Sequence, residues 1–207
     1  MKKPPVPTAR SRDETKLETR EALLRAATLL FRSEGLDASL DAICARAGYT
    51  RGAFYVHFQD RDELISAVIE RVGFSFIDTL LGADDSDDDF LVLVQRFLRT
   101  VAGGDYPISR EGGLRPYQLL EACARSEAVR LQYLRVNAAG ISRLTAALQR
   151  AQDGGELRGD TDAGQLAQML MSQVLGMQTM LDLDMPLDLP GMARTMLQLL
   201  APTIGAK

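Results

Sequence analysis

Within the twelve residues TRGAFYVHFQDR, from Thr50 to Arg61, the chain places a hydroxyl, two guanidinium groups, a phenol and its single histidine. Every one of these groups can donate a hydrogen bond to an anionic oxygen. Catalysis would instead need a nucleophile beside a base, or a metal or cofactor site. With one histidine, no phosphate-cradling glycine loop and no cluster at metal-ligand spacing, the chain lacks those parts. No enzyme activity, cofactor or metal is expected.

Which way the donors face depends on the residues between them. At 100° per residue, Phe54 and Phe58 fall within about 40° of each other on one helical stripe. Leu40, Ile43, Cys44 and Ala47 supply a matching apolar face on the preceding segment. The two rings are therefore core. Gly52, Ala53 and Val56 lie on the far side, with Tyr55 and His57 on its flanks and Thr50 and Arg51 at the start. Plain alternatives stand beside these readings: a half-buried Tyr55 ring, a structural hydrogen bond from His57, and an ion pair between Arg61 and Glu63 or another acid.

The elements that must hold this stretch follow from periodicity and punctuation. Leu17, Leu23, Leu24, Ala27, Leu30 and Phe31 recur at helical spacing over 14–34, and Gly35 ends that helix. Ser39 can cap a short helix over 40–47, which stops at Gly48. Thr50 can cap a third, from 51 to about 58. Two short helices joined so closely make a helix-turn-helix. A fourth helix is expected over 60–81, with Asp60, Asp62 and Glu63 where its dipole favours acids. GADDSDDD, at 82–89, reads as an exposed acidic loop rather than a cation site. Further helices are expected at about 90–102, 114–124, after a Ser126 cap to about 152, 162–183 and 191–200, with a glycine-rich connector at 103–113. No β-type alternation persists. The fold class is all-α, with about nine helices.

Composition agrees with a folded, water-facing chain: 46% hydrophobic and 25% charged over 207 residues. No apolar run is long enough to span a bilayer, and MKKPPVPTARSR leads into no secretory signal. A cytoplasmic location and reduced Cys44 and Cys123 thiols are expected. The net charge of −4 is unevenly spread. Residues 1–72 carry 12 Lys+Arg against 11 Asp+Glu, whereas 73–207 carry 12 against 17. Lys2, Lys3, Arg10 and Arg12 make a basic tail suited to a polyanion.

AGYTRGAFYVHFQDRDEL, with ALLRAATLLFRSEGLDASLDAICARAG before it, resembles the DNA-binding domain of the TetR family of bacterial transcriptional regulators. The resemblance spans about 19–69 and implies a division of the chain. Residues 1–14 would be a flexible basic tail, 15–62 the DNA-binding domain with its motif at about 39–58, and 63–207 a helical regulatory and dimerisation domain. It implies that Ser39, Thr50, Tyr55, His57 and Arg61 meet the DNA backbone, while Arg51, Gly52 and Ala53 approach bases in the major groove. Arg61 stands where lysine is usual, Ser39-Leu40 where a threonine pair is common, and Cys44 where alanine is usual. The partners implied are a double-stranded operator, a second copy of the chain and a small, partly apolar effector. The function implied is a sequence-specific regulator, expected to be a repressor released from a palindromic operator by its ligand. An enzyme and a non-specific architectural module are the rival readings.

Beyond the motif the residues themselves speak less distinctly. Seven of the eight methionines fall between Met169 and Met196, a soft and adaptable surface. Leu166, Met169, Leu170, Gln173, Val174 and Met177 share one stripe, with Ala167 and Gly176 permitting close approach. That stripe, with Met192 and Met196 on the last helix, reads either as ordinary core or as a two-fold contact. Phe97, Tyr106, Tyr117, Cys123, Tyr133 and Gln173 are the candidates for a ligand cavity with apolar walls and a few polar handles.

Overall fold

The computed structural model describes residues 12–82, 89–102 and 116–202. Nine α-helices and no strand occur among the described residues: α1 Arg12–Glu34, α2 Leu40–Ala47, α3 Arg51–His57, α4 Arg61–Leu81, α5 Phe90–Ala102, α6 Pro116–Arg125, α7 Glu127–Asp153, α8 Ala163–Asp182 and α9 Leu189–Leu200. The basic tail through residue 11, most of the acidic stretch, the connector and Tyr106 lie outside the described residues.

Side-chain caps set the helix starts. Ser39 Oγ accepts the Ala42 N–H at 3.1 Å, Thr50 Oγ1 the Ala53 N–H at 3.3 Å and Ser126 Oγ the Val129 N–H at 3.4 Å. Asp60 and Asp162, expected as the first helical residues, are the caps themselves: their carboxylates accept from Glu63 at 2.9 Å and Gln165 at 2.7 Å. The ninth helix starts two residues before the expected Gly191, because Asp188 accepts the Gly191 N–H at 2.9 Å and Pro190 fits the first turn.

Two cores hold these helices. The first contains Leu23, Phe31, Ile43, Phe54, Phe58, Leu64 and Val68, and draws in Leu119, Val129 and Val136 from α6 and α7. The second joins Phe90, Leu148, Ala151, Leu157, Leu166, Ala167 and Leu200. α4 lies along the first core for its whole length, from Leu64 to Ile77, with Leu81 packed against it. Arg71 Nη1 donates to Glu21 Oε2 on α1 at 2.8 Å, and Arg143 Nη1 of α7 to Asp78 Oδ1 at 2.5 Å. Gly73 lets α4 press against Val136, which would clash with any Cβ there. Among the described residues no helix is long and apolar enough to cross a membrane, and Cys44 and Cys123 are free thiols.

Candidate nucleic-acid interface

The turn between α2 and α3 is built by Gly48, whose φ of 78° and ψ of 26° suit glycine far better than a residue with a Cβ. Its N–H donates to Ala45 O at 3.1 Å, and that of Tyr49 to Cys44 O at 2.9 Å, closing α2. Thr50 then opens α3. Phe54 is fully buried and Phe58 is 1% exposed, their rings stacked at 5.4 Å. Arg20 of α1 lies 5.1 Å over the Phe58 ring. With the rings inside, the opposite surface of α3 is presented outward.

That surface carries the expected donors. Ser39, Thr50, Arg51 and Gly52 are exposed and Ala53 half-buried. The Ser39 and Thr50 hydroxyls accept backbone N–H groups as caps, which leaves each O–H to donate outward. A Cβ on Gly52 would meet only Thr50 Oγ1, at 3.6 Å, so nothing inside the chain requires glycine there. Tyr55 is 56% exposed, its ring edge-on to Phe54 at 5.2 Å. Arg51 Nε pairs with Asp41 Oδ1 of α2 at 2.7 Å. His57 is half-buried, and burial holds its imidazole below the ordinary pKa, with Lys16 and Arg20 adding to the shift. Arg61 is half-buried: Nη2 donates to the Leu36 carbonyl, and the guanidinium sits 5.7 Å over the Phe31 ring. Tyr49 and Val56 are also exposed beside the donors; Val56 stands on the far side where the helical wheel puts it, though neither residue is among the expected DNA contacts.

Behind the helix-turn-helix lies a cavity of about 270 Å³, walled by α4, α5, α7, α8 and α9, with Leu119 of α6. Phe97, Tyr133 and Gln173 line it. Tyr117 does not: its ring is 58% exposed on α6, a correction that follows from which face α6 turns to α7. Cys123 packs against the first core instead. Phe76, Ile77, Asn137, Met171 and Gln178 also line the cavity, and walls shared by six helices leave no local sequence pattern. Burial pushes the Tyr133 phenol up, while Asn137 beside it acts in the opposite sense. None of the lining side chains carries a full charge at neutral pH.

On α8 the expected stripe divides. Leu166 and Met177 are buried within their own chain, Leu166 in the second core and Met177 against the cavity, so neither offers a surface to a second copy. Ala167 is fully buried too. Leu170, Met192 and Met196 are half-buried along the cavity, and Gln173 is exposed at its edge. Met169, by contrast, is 70% exposed. Gly176, Met180 and Leu183 share its outward face, and Leu199 is exposed on α9.

Fold and site together define a class: a helix-turn-helix protein whose following helices surround an apolar cavity. The sequence profile of bacterial regulatory proteins of the tetR family matches residues 23–68, and that of the tetracyclin repressor-like C-terminal domain matches residues 93–197, about half of the chain. The chain belongs to the TetR family. The transcriptional repressor BepR of Brucella suis is 42% identical over 67 residues, 32% of each chain. SrpR of Pseudomonas putida is 45% identical over 53 residues, 25% of each. These matches span about a third or less of those relatives' lengths. Among solved structures, reduced NemR of E. coli superposes with a TM-score of 0.73 over 88% of this chain and 96% of its own, at 19% identity, a likeness of fold. SmeT, repressor of the Stenotrophomonas maltophilia multidrug efflux pump SmeDEF, is 30% identical over 88% of this chain and 91% of its own, with a TM-score of 0.53.

Proposed function

We propose that this chain is a homodimeric, sequence-specific transcriptional repressor that leaves a palindromic operator when a small, uncharged, largely apolar molecule fills the cavity. It would act in the cytoplasm, where the DNA is. The observation that carries the reading is the outward face of α3, where Thr50, Arg51, Gly52 and Tyr55 stand exposed over two buried phenylalanines. One such helix touches too few bases for selectivity, whereas two copies read half-sites about 34 to 36 Å apart. The exposed stripe of Met169, Gly176, Met180 and Leu183, with Leu199, is the surface through which the copies would meet. Repression as the sign is supported by BepR and SmeT, both repressors by name.

α4 would transmit the signal. Its first half packs in the core that holds α3, and Val72, Phe76 and Leu80 on its second half line the cavity. A ligand preferring one placement of α4 would favour the matching separation of the two recognition helices. SmeT in its triclosan complex is 27% identical to this chain over 87% of its length, with a TM-score of 0.63, which supports an apolar aromatic effector. Tyr133, Asn137, Gln173 and Gln178 supply uncharged handles for one or two polar groups.

Selection from a random duplex pool tests the reading. The expected consensus is palindromic, and the selected site should bind about 1,000-fold or more tighter than a scrambled duplex at the same salt. Equal affinity for both would refute sequence-specific regulation.

A further inference from the structure

Asp41 and Arg51 form the ion pair that bridges the two helices of the motif, Oδ1 to Nε at 2.7 Å. Their side chains are 71% and 57% exposed, so the pair contributes little to stability in water. It also lies on the surface offered to the duplex. A carboxylate there repels phosphates and on its own weakens DNA binding. A compensating use is therefore to be sought in what it does to Arg51.

Guanidinium carries five N–H donors in a fixed planar fork. Asp41 Oδ1 lies against the Nε corner of this fork as a charge contact rather than an aligned hydrogen bond. A bidentate contact to the O6 and N7 acceptors of guanine uses two such N–H groups. Holding Nε removes rotamers from a long side chain before the duplex arrives, so less freedom is lost on docking. As water leaves the interface the pair also strengthens, because the local dielectric falls.

We propose that Asp41 is a positioning residue for base readout, fixing Arg51 so that its Nη edge selects guanine in each half-site. The inference rests on the DNA-binding reading above. Asp41 thus lowers affinity for all DNA through its charge while sharpening the choice among sequences.

The test is selection from a random duplex pool with the full-length protein and with Asp41→Ala, Arg51→Ala and the double variant, followed by titration on operator and scrambled duplexes. Wild type should enrich a guanine position that Arg51→Ala no longer prefers. Asp41→Ala should keep the rest of the site, lose about 10-fold of that preference, and bind scrambled DNA as well as or better than wild type. The double variant should be no less selective than Arg51→Ala alone, since the two residues act as one unit. A merely structural Asp41 would weaken operator and scrambled DNA alike with a lower melting temperature, and that result overturns the inference. Undiminished guanine preference in Asp41→Ala overturns it too, while the enriched palindrome leaves the regulator reading intact. If wild type enriches no site, both fall together.

Discussion

Arg61, at the first position of α4, donates through Nη2 to the carbonyl oxygen of Leu36 in the turn after α1. Its guanidinium also covers Phe31, a fully buried ring of the first core. Arginine at this place therefore has a structural task before any phosphate arrives. Arg61→Ala should destabilise the protein by about 1 to 3 kcal/mol, the range for removing a charged donor from a partly buried carbonyl. Chemical denaturation monitored by circular dichroism reads this directly. Unchanged stability with weaker DNA binding would return Arg61 to a purely phosphate-contacting role.

Phe54 anchors α3 against α1 and α2 with no exposure at all. Phe54→Ala should cost about 3 to 5 kcal/mol, the transfer of a buried ring plus the cavity left behind. Tyr55→Phe, one residue on, removes only an outward hydroxyl and should leave the denaturation midpoint in place. A small loss for Phe54→Ala would mean that α3 is held by its caps and turn rather than by this ring.

These adjacent positions also mark what was legible in the sequence. Phe54 and Phe58 could be sorted from Tyr55 and His57 because a seven-residue helix between a glycine turn and a second cap offers one packing stripe. α8 gave no such choice. Both of its faces are apolar, Leu166, Ala167 and Met177 inward and Met169, Met180 and Leu183 outward, so periodicity alone could not say which was core. Tyr117 was misplaced for a related reason, since a lone aromatic on an amphipathic helix does not announce its partner. Contacts such as Arg61 to Leu36 or Asp41 to Arg51 join separate elements, and their geometry exists only once α1, α2 and α4 have packed.

His57 should make DNA binding respond to acid. Burial, followed by the Lys16 and Arg20 cations, holds its imidazole below the ordinary value of 6.5, so it is neutral in the free protein at pH 7. A phosphate at its N–H would raise that pKa, and binding would then take up a proton between the free and bound values. Operator affinity should rise as pH falls through the bound-state value, and His57→Gln should lack this part of the slope. Folding stability has the opposite sense. The unfolded chain binds the proton first, so the His57 contribution is complete above the unfolded pKa and declines as pH falls toward the folded one. Anisotropy titrations at about pH 7.5 and 5.5 separate the two proteins, and parallel profiles would exclude a phosphate at His57.

Gly176 offers a clean probe of the two-fold contact. It sits exposed at the centre of the Met169–Leu183 stripe, and a Cβ built there meets nothing within 4 Å in its own chain. Gly176→Arg should therefore leave the helical fold of one copy intact, since glycine is the poorer helix former. Against a partner's α8 the same side chain would bring bulk and an unpaired charge into an apolar contact. Light scattering at micromolar concentration should report half the wild-type mass, with unchanged far-ultraviolet ellipticity per residue. Operator affinity should fall by about 100-fold or more, because each half-site would then be bound without help from the other. A dimer of full affinity would place the two-fold contact on a different surface, whatever the apolar character of this stripe.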